Sequence, residues 1–289
     1  MKKLGVVSFK YEAKEFDSKI RYLKKDTWSN VNSCAKKFNA KRLAEMNEIK
    51  EHAEKNNVTH LLFPGKTLAI TYKIWNDCQI DQVIKEMSRI FRNKSFIMEA
   101  MYSDNENPQE NPPVDTGIIC FEKGKEVGDR VQQIFATSNG QPVSYKNILY
   151  KRFWSENLWG HRIKEIDGIK FLIWICGEIN FLRSPDHGKK KPVPRVNFDN
   201  DIQKQLEALR FDVFFNPAHT LMGEIHIVKS KLQYMSKLGK AAIHTTNLPR
   251  FQQGTESSLY YYANGKKINY SKKSKWPQDK SWIMETVTL

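Results

Sequence analysis

The sequence lacks most of the features that would place it quickly. It has only four cysteines, Cys34, Cys78, Cys120 and Cys176, with no CxxC pair and no Cys/His grouping at metal-ligand spacing. That argues against a zinc module or a disulfide framework, and so few thiols point to a reducing compartment. No apolar run approaches the ~20 residues that cross a bilayer. The apolar part of Met1–Lys10 is too short for a signal peptide and reads as a first strand, so no membrane partner and a cytoplasmic location are expected. A phosphate loop is missing too. Gly65-Lys66-Thr67 has the ending of one, but His60 stands where GxxxxGK[ST] needs its first glycine. Acid is the scarce charge, with 32 Asp and Glu against 47 Lys and Arg and a net charge of +15. Such a field attracts polyanions and does not choose a fold.

What is present is an alternation of short apolar runs with amphipathic ones. Leu4–Phe9 reads as a strand, and residues about 38–56 place Leu43, Met46, Ile49 and Ala53 at helical spacing. His60–Phe63 is a strand that stops at Pro64-Gly65. Ile80–Phe91 is a second amphipathic helix, and Ser95–Met101 a further strand. This β-α-β-α-β order predicts a layered α/β protein. Asn105–Pro113 reads as a loop, and Thr116–Phe121 and Val131–Thr137 as strands. Phe171–Cys176 is the most apolar strand, fit for the centre of a sheet covered on both faces. Ile202–Leu209 and Glu224–Leu238 are helical, and Phe211–Phe215 and Ala241–His244 are strands. With no repeat and no linker, residues 1–289 are expected to form a single domain. It carries a basic, Pro-rich insertion at about 183–200 and a basic, aromatic tail at about 255–289.

Reactive groups in such sheets gather at the carboxyl ends of strands. Cys176 stands at one, followed by Gly177, which allows close approach of a substrate to the backbone. A thiolate nucleophile needs a base for its proton and donors for the oxyanion it creates. A cysteine at a strand end is also commonly core filler, and local sequence leaves both readings open.

The order of several segments bears on that choice. Leu61-Leu62-Phe63-Pro64-Gly65 is followed by Leu149-Tyr150-Lys151-Arg152-Phe153 and then Trp174-Ile175-Cys176-Gly177-Glu178. Phe215-Asn216-Pro217 and a segment ending in Asn247 follow, with Gly254-Thr255-Glu256-Ser257 and Asn264-Gly265 placed as a closing hairpin. Over nearly its whole length the chain in this respect resembles the nitrilase, or carbon–nitrogen hydrolase, superfamily. The resemblance implies a four-layer α-β-β-α sandwich, hydrolysis of an amide or nitrile through a thioester, no metal or organic cofactor, and a homodimer or larger assembly. It makes Cys176 the nucleophile, Lys151 the electrostatic stabiliser (preferred to Lys146) and the Gly177 N–H an oxyanion donor. Glu178 and Glu156 become supporting carboxylates, and Asn216 and His219 substrate contacts. For Lys151 the alternative is an ordinary solvated lysine, and for His219 and His244 a structural histidine.

One position departs from the family pattern. Its general-base glutamate is replaced by Gly65, which cannot titrate. An unassisted thiol near pKa 8.5 is only a few per cent ionised at neutral pH, and base help is worth ~10²–10⁴-fold. Three explanations stay open. Another carboxylate, for which Glu99 on the next strand is the candidate, takes over from a position ~4.8 Å away; the site is degenerate and only binds; or Gly65 silences the enzyme. A rival reading of another class comes from Lys189-Lys190-Lys191 with Arg195, and from the lysines 266–275 interleaved with Tyr260, Tyr261, Tyr262, Tyr270 and Trp276. Cations with stacking rings suit a nucleotide or nucleic acid, and charge runs are also plain solvated faces.

Overall fold

The computed structural model describes residues 2–10, 28–65, 67–70, 78–103, 114–135, 143–185, 190–195, 201–218, 225–247, 259–268 and 281–289. The predicted loop Asn105–Pro113, the end of the Val131–Thr137 run, His219 and Lys189 lie outside these residues. So do parts of the 183–200 insertion and of the 255–289 tail.

Among the described residues two large sheets form. The first holds β1 (Lys3–Phe9), β2 (His60–Leu62), β3 (Leu68–Ile70), β4 (Ser95–Ser103), β5 (Val114–Glu122), β6 (Lys125–Glu126) and β7 (Val131–Gln132). The last strand of the chain, β16 (Trp282–Thr288), completes it. Its order is β16-β1-β2-β4-β5-β6, with β3 against β4 and β7 against β5. The second sheet has β8 (Ile163–Ile166), β9 (Ile169–Ile173), β12 (Val213–Ala218), β13 (Ala241–Thr246), β14 (Leu259–Ala263) and β15 (Lys266–Lys267), in the order β15-β14-β13-β12-β9-β8. A separate pair joins β10 (Leu182–Arg183) to β11 (Val193–Pro194). The central strands β1, β2 and β4 run parallel, as do β9, β12 and β13.

Period-two alternation sorts the side chains into three cores. Phe96, Met98 and Ala100 of β4 pack with Met46, Ile49 and Met87 of the Trp28–Lys55 and Cys78–Ile90 helices. Ile97 faces the other way, joining Phe171 and Ile173 of β9 and Phe215 and Ile243 of the second sheet. Leu172, Phe214 and Ala242 pack outward on Phe153, Leu206 and Leu232, from the Val143–Leu158, Ile202–Ala208 and Ile225–Leu238 helices. Three cores separated by two sheets are the four layers expected, helix-sheet-sheet-helix.

Several elements differ from the sequence reading. The first helix begins at Trp28, ten residues before the predicted start. Its opening turns carry Ser29, Asn30, Asn32 and Ser33, weak helix formers that obscure the helical spacing of Trp28, Val31, Ala35 and Phe38. The Val143–Leu158 helix was not singled out, although Tyr150, Phe153, Trp154 and Asn157 form a buried stripe. The tail contributes structure to both sheets. Tyr262 pairs with Lys267 across an Asn264-Gly265 turn in which both residues have positive φ, 48° and 76°, the two-residue hairpin geometry. The final strand β16 pairs antiparallel with β1 along its whole length, from Lys3 with Thr288 to Phe9 with Trp282.

Candidate active site

The parallel strands of both sheets end at one edge of the sandwich. There Ser8 Oγ donates to the Thr246 carbonyl, and Thr245 Oγ1 to that of Val7, tying β1 to β13 across the gap between sheets. Cys176 stands at this edge. Beyond β9 the chain stays extended through Trp174 and Ile175, then turns abruptly into a 3-10 helix, Cys176–Phe181. Cys176 has φ +44°. A non-glycine residue there pays of order 1–3 kcal/mol of backbone strain, and strained strand-to-helix turns are a known way to present a nucleophile. Its half-buried side chain packs against the inter-sheet core. Cys120, by contrast, is fully buried in β5, and burial pushes its thiol up to about 12. Gly177 follows as a first-turn residue whose N–H no intrahelical carbonyl can reach.

Three buried groups hold this turn. Glu178 accepts from Ile175 N at 2.7 Å, Ile134 N at 2.7 Å and Arg162 Nη1 at 2.6 Å. Arg162 is fully buried. It also donates Nε to Glu156 Oε2 at 2.7 Å and Nη2 to the Gln132 carbonyl at 2.7 Å. Burial pushes the Glu178 carboxyl up, while Arg162 and the two N–H donors pull it down. Asn216, buried on β12, donates both Nδ2 hydrogens to backbone carbonyls, to Trp174 at 2.5 Å and to Cys176 at 3.1 Å. A substrate could therefore use only its Oδ1.

That Oδ1 lies 2.7 Å from His244 Nδ1, and since it can only accept, the histidine carries its proton on Nδ1. Nε2 is then a bare acceptor, buried and without a partner among the described residues. Burial lowers the pKa of His244 to about 4, so the ring is neutral.

The first sheet brings Gly65 to the same edge. Its N–H donates to the Ala218 carbonyl at 3.0 Å, two residues past Asn216, and its carbonyl accepts from Asn247 Nδ2 at 2.9 Å. Asn247 Oδ1 is buried and unpartnered among the described residues. Glu99 is fully buried on β4. Leu62 pairs with Ile97, and Thr67 N donates to the Glu99 carbonyl at 3.0 Å, so Glu99 stands level with the Pro64-Gly65 turn. It shares the inter-sheet face of β4 with Ile97 and is paired with Ile118, which lies in the inter-sheet core.

Lys151 is exposed on the Val143–Leu158 helix, between the buried Tyr150 and Phe153. Position 146 falls in line with Tyr150, Phe153 and Asn157 along that helix. His219 lies outside the described residues. Sequence reasoning missed Arg162, because nothing local marks this arginine as the one that enters the core. Among the described residues no group of three or more His, Cys, Asp or Glu gathers as metal ligands, and no helix is long and apolar enough to cross a membrane.

No protein-family model and no curated protein matches the sequence. Solved structures do match in shape. All of the chain aligns with the glutamine-dependent NAD+ synthetase from Acinetobacter baumannii in complex with ADP, at a TM-score of 0.51 and 14% identity. A glutamine-dependent NAD(+) synthetase from Cytophaga hutchinsonii aligns over 99%, at 0.51 and 11%. The chain spans less than half the length of these two, 46% and 42%. A mutant of the Nesterenkonia AN1 amidase from the nitrilase superfamily aligns over 99% of this chain and 90% of its own, at 0.51 and 9%. The chain has the nitrilase-type fold.

Proposed function

We propose that the chain is a thiol-dependent hydrolase of a non-peptide carbon–nitrogen bond, acting on an amide or nitrile of a small molecule, with Cys176 as nucleophile and Glu99 as its base. The observation that carries this reading is the strained turn at Cys176. The chain spends buried groups, Glu178, Arg162 and Asn216, on holding one thiol at an unfavourable φ, at the edge where the two sheets meet. Core filler would call for no such support.

The place of Glu99 supports its role. A carboxylate missing at Gly65 can be offered from the neighbouring strand, which holds Glu99 level with that turn and facing the second sheet. In the proposed reaction Glu99 accepts the Cys176 proton, and the thiolate attacks the amide carbon. The oxyanion is held by the Gly177 N–H and by a lysine of the Val143–Leu158 helix. As the C–N bond breaks, Glu99 returns the proton to the leaving nitrogen, and ammonia departs from a thioester. Water, deprotonated by Glu99, then releases the acid and restores the thiol. Lys151 is the candidate cation. Because it is exposed, Lys151→Ala and Lys146→Ala should be compared side by side.

The test is ammonia release from simple amides together with mass measurement of the acylated protein. Turnover is expected from the wild type and not from Cys176→Ala. Glu99→Gln should slow turnover by ~10²–10⁴-fold. A wild type with a reduced Cys176 that turns over no amide or nitrile, and whose thiol reacts with an electrophile no faster than an ordinary one, would leave a fold that only binds. Full activity in Glu99→Gln would remove Glu99 from the mechanism.

A further inference from the structure

The peptide that joins Cys176 to Gly177 carries two polar groups. Its N–H is the oxyanion donor of the proposed reaction, and its carbonyl is the Cys176 oxygen that Asn216 holds. The bond is trans. A trans peptide is planar, with its C=O and N–H pointing in opposite directions, so a group that fixes the carbonyl also aims the N–H.

Asn216 fixes it from behind. By period-two alternation it shares a face of β12 with Phe214, which packs on the helix side of the second sheet. The Cys176 side chain packs on the other side, against the inter-sheet core. Nδ2 of Asn216 reaches the Trp174 carbonyl at 2.5 Å and the Cys176 carbonyl at 3.1 Å, so one amide bridges the extended chain and the turn that follows it. The Gly177 N–H is thereby turned away from Asn216, toward the side where the thiol lies. A carbonyl that accepts a hydrogen bond also polarises the N–H of its own peptide, and more so where both are shielded from water.

The bridge works with the amide one way round only. Reversed, Oδ1 would face two carbonyls and bond neither. His244 sets the orientation, since its Nδ1–H donates to Oδ1 at 2.7 Å and the pairing of β12 with β13 places it directly beside Asn216. Both residues are buried. The φ of +44° at Cys176 makes such a hold necessary, because relaxation of that strain would rotate the peptide that follows. We infer that Asn216, oriented by His244, is a positioning residue that aims the Gly177 N–H at the developing oxyanion. The reaction in this inference rests on the hydrolase reading above, while the aim of the N–H can be tested without turnover.

The experiment measures kcat and KM for propionamide in the wild type, Asn216→Leu, His244→Leu and His244→Asn, with the rate of Cys176 alkylation by iodoacetamide beside them. Asn216→Leu is close in volume but cannot donate. It should lower kcat by ~10²–10³-fold, the effect of losing one oxyanion donor. KM should stay within about threefold, because the oxyanion exists only beyond the ground state. His244→Leu should also lower kcat, and His244→Asn, which can still donate to Oδ1, should recover most of that loss. Alkylation forms no oxyanion and should keep its rate, whereas a collapsed turn would change it. The two leucine variants act on the bridge from different strands, so if one fails to fold the other decides. An unchanged kcat, or alkylation that falls together with kcat, overturns the inference and leaves the hydrolase reading standing. Should the wild type turn over no amide, 13C NMR of propionaldehyde added to Cys176 decides. There the sulfur bonds to the carbonyl carbon, and the thiol proton passes to the oxygen. An adduct that both leucine variants weaken about tenfold or more supports the positioning role while the hydrolase reading falls. An adduct of equal affinity in all variants, or none in the wild type, overturns it.

Discussion

A histidine that loses its charge on burial leaves a trace in the pH dependence of stability. His244 titrates near 4 in the folded chain and near 6.5 when unfolded. Between those values the unfolded state binds the extra proton. The stability His244 contributes is thus fully present above pH 6.5 and is lost as pH falls toward 4, roughly 3 kcal/mol in all. Urea unfolding from pH 7 to pH 4 should show this slope in the wild type. His244→Asn, whose amide can still donate to Asn216 Oδ1, should show a flatter one. Parallel curves would mean that another group, such as His60, dominates this range. The same residue was open to a structural reading in the sequence, but its partner was not visible there. Asn216 lies 28 positions away and is brought opposite only by the parallel pairing of β12 with β13.

At the scale of elements, the Cys176 turn is held from several segments at once. Arg162, just ahead of β8, reaches Glu178 in the 3-10 helix, Glu156 in the Val143–Leu158 helix and the carbonyl of Gln132 in β7. Removing one partner of a buried ion pair leaves an uncompensated charge. Arg162→Met is therefore expected to cost about 3–5 kcal/mol. Glu178→Gln should cost less, since an amide oxygen can still accept from Ile175 N or Ile134 N. Denaturant midpoints of both variants, with Cys176 labelling rates beside them, give the comparison. Equal losses would mean that charge is not what this element contributes. The elements that were hard to read in the sequence are those whose signal is weak locally. In the first turns of the Trp28–Lys55 helix polar, weak helix formers obscure the apolar spacing, and β16 finds its antiparallel partner β1 at the other end of the sequence.

For the whole molecule, the net charge of +15 makes a prediction that is independent of the thiol. Weak binding of single-stranded DNA through exposed lysines, among them Lys190, Lys266 and Lys267, should fall steeply between 50 and 200 mM salt, as counterion release requires. Lys266→Glu with Lys267→Glu should weaken it without changing turnover. Binding that persists at moderate salt would argue for a built nucleic-acid site and favour the rival reading. The four layers themselves depend on long-range closure. Gly65 meets Asn247 across 182 positions and Ser8 meets Thr246 across 238, and these contacts bring the ends of both sheets to one edge.

The order of most strands and helices and the cysteine at the end of the most apolar run were determined by the sequence alone, as local matters of period, composition and turn chemistry. The glycine where a carboxylate is expected was legible there only through the family resemblance. Tertiary structure decided which buried polar groups meet: Arg162 with Glu178, His244 with Asn216, Lys231 with Asn180, and Glu99 beside the Gly65 turn. A buried charge or amide must find its partner wherever packing provides one, and along the chain that partner can stand anywhere.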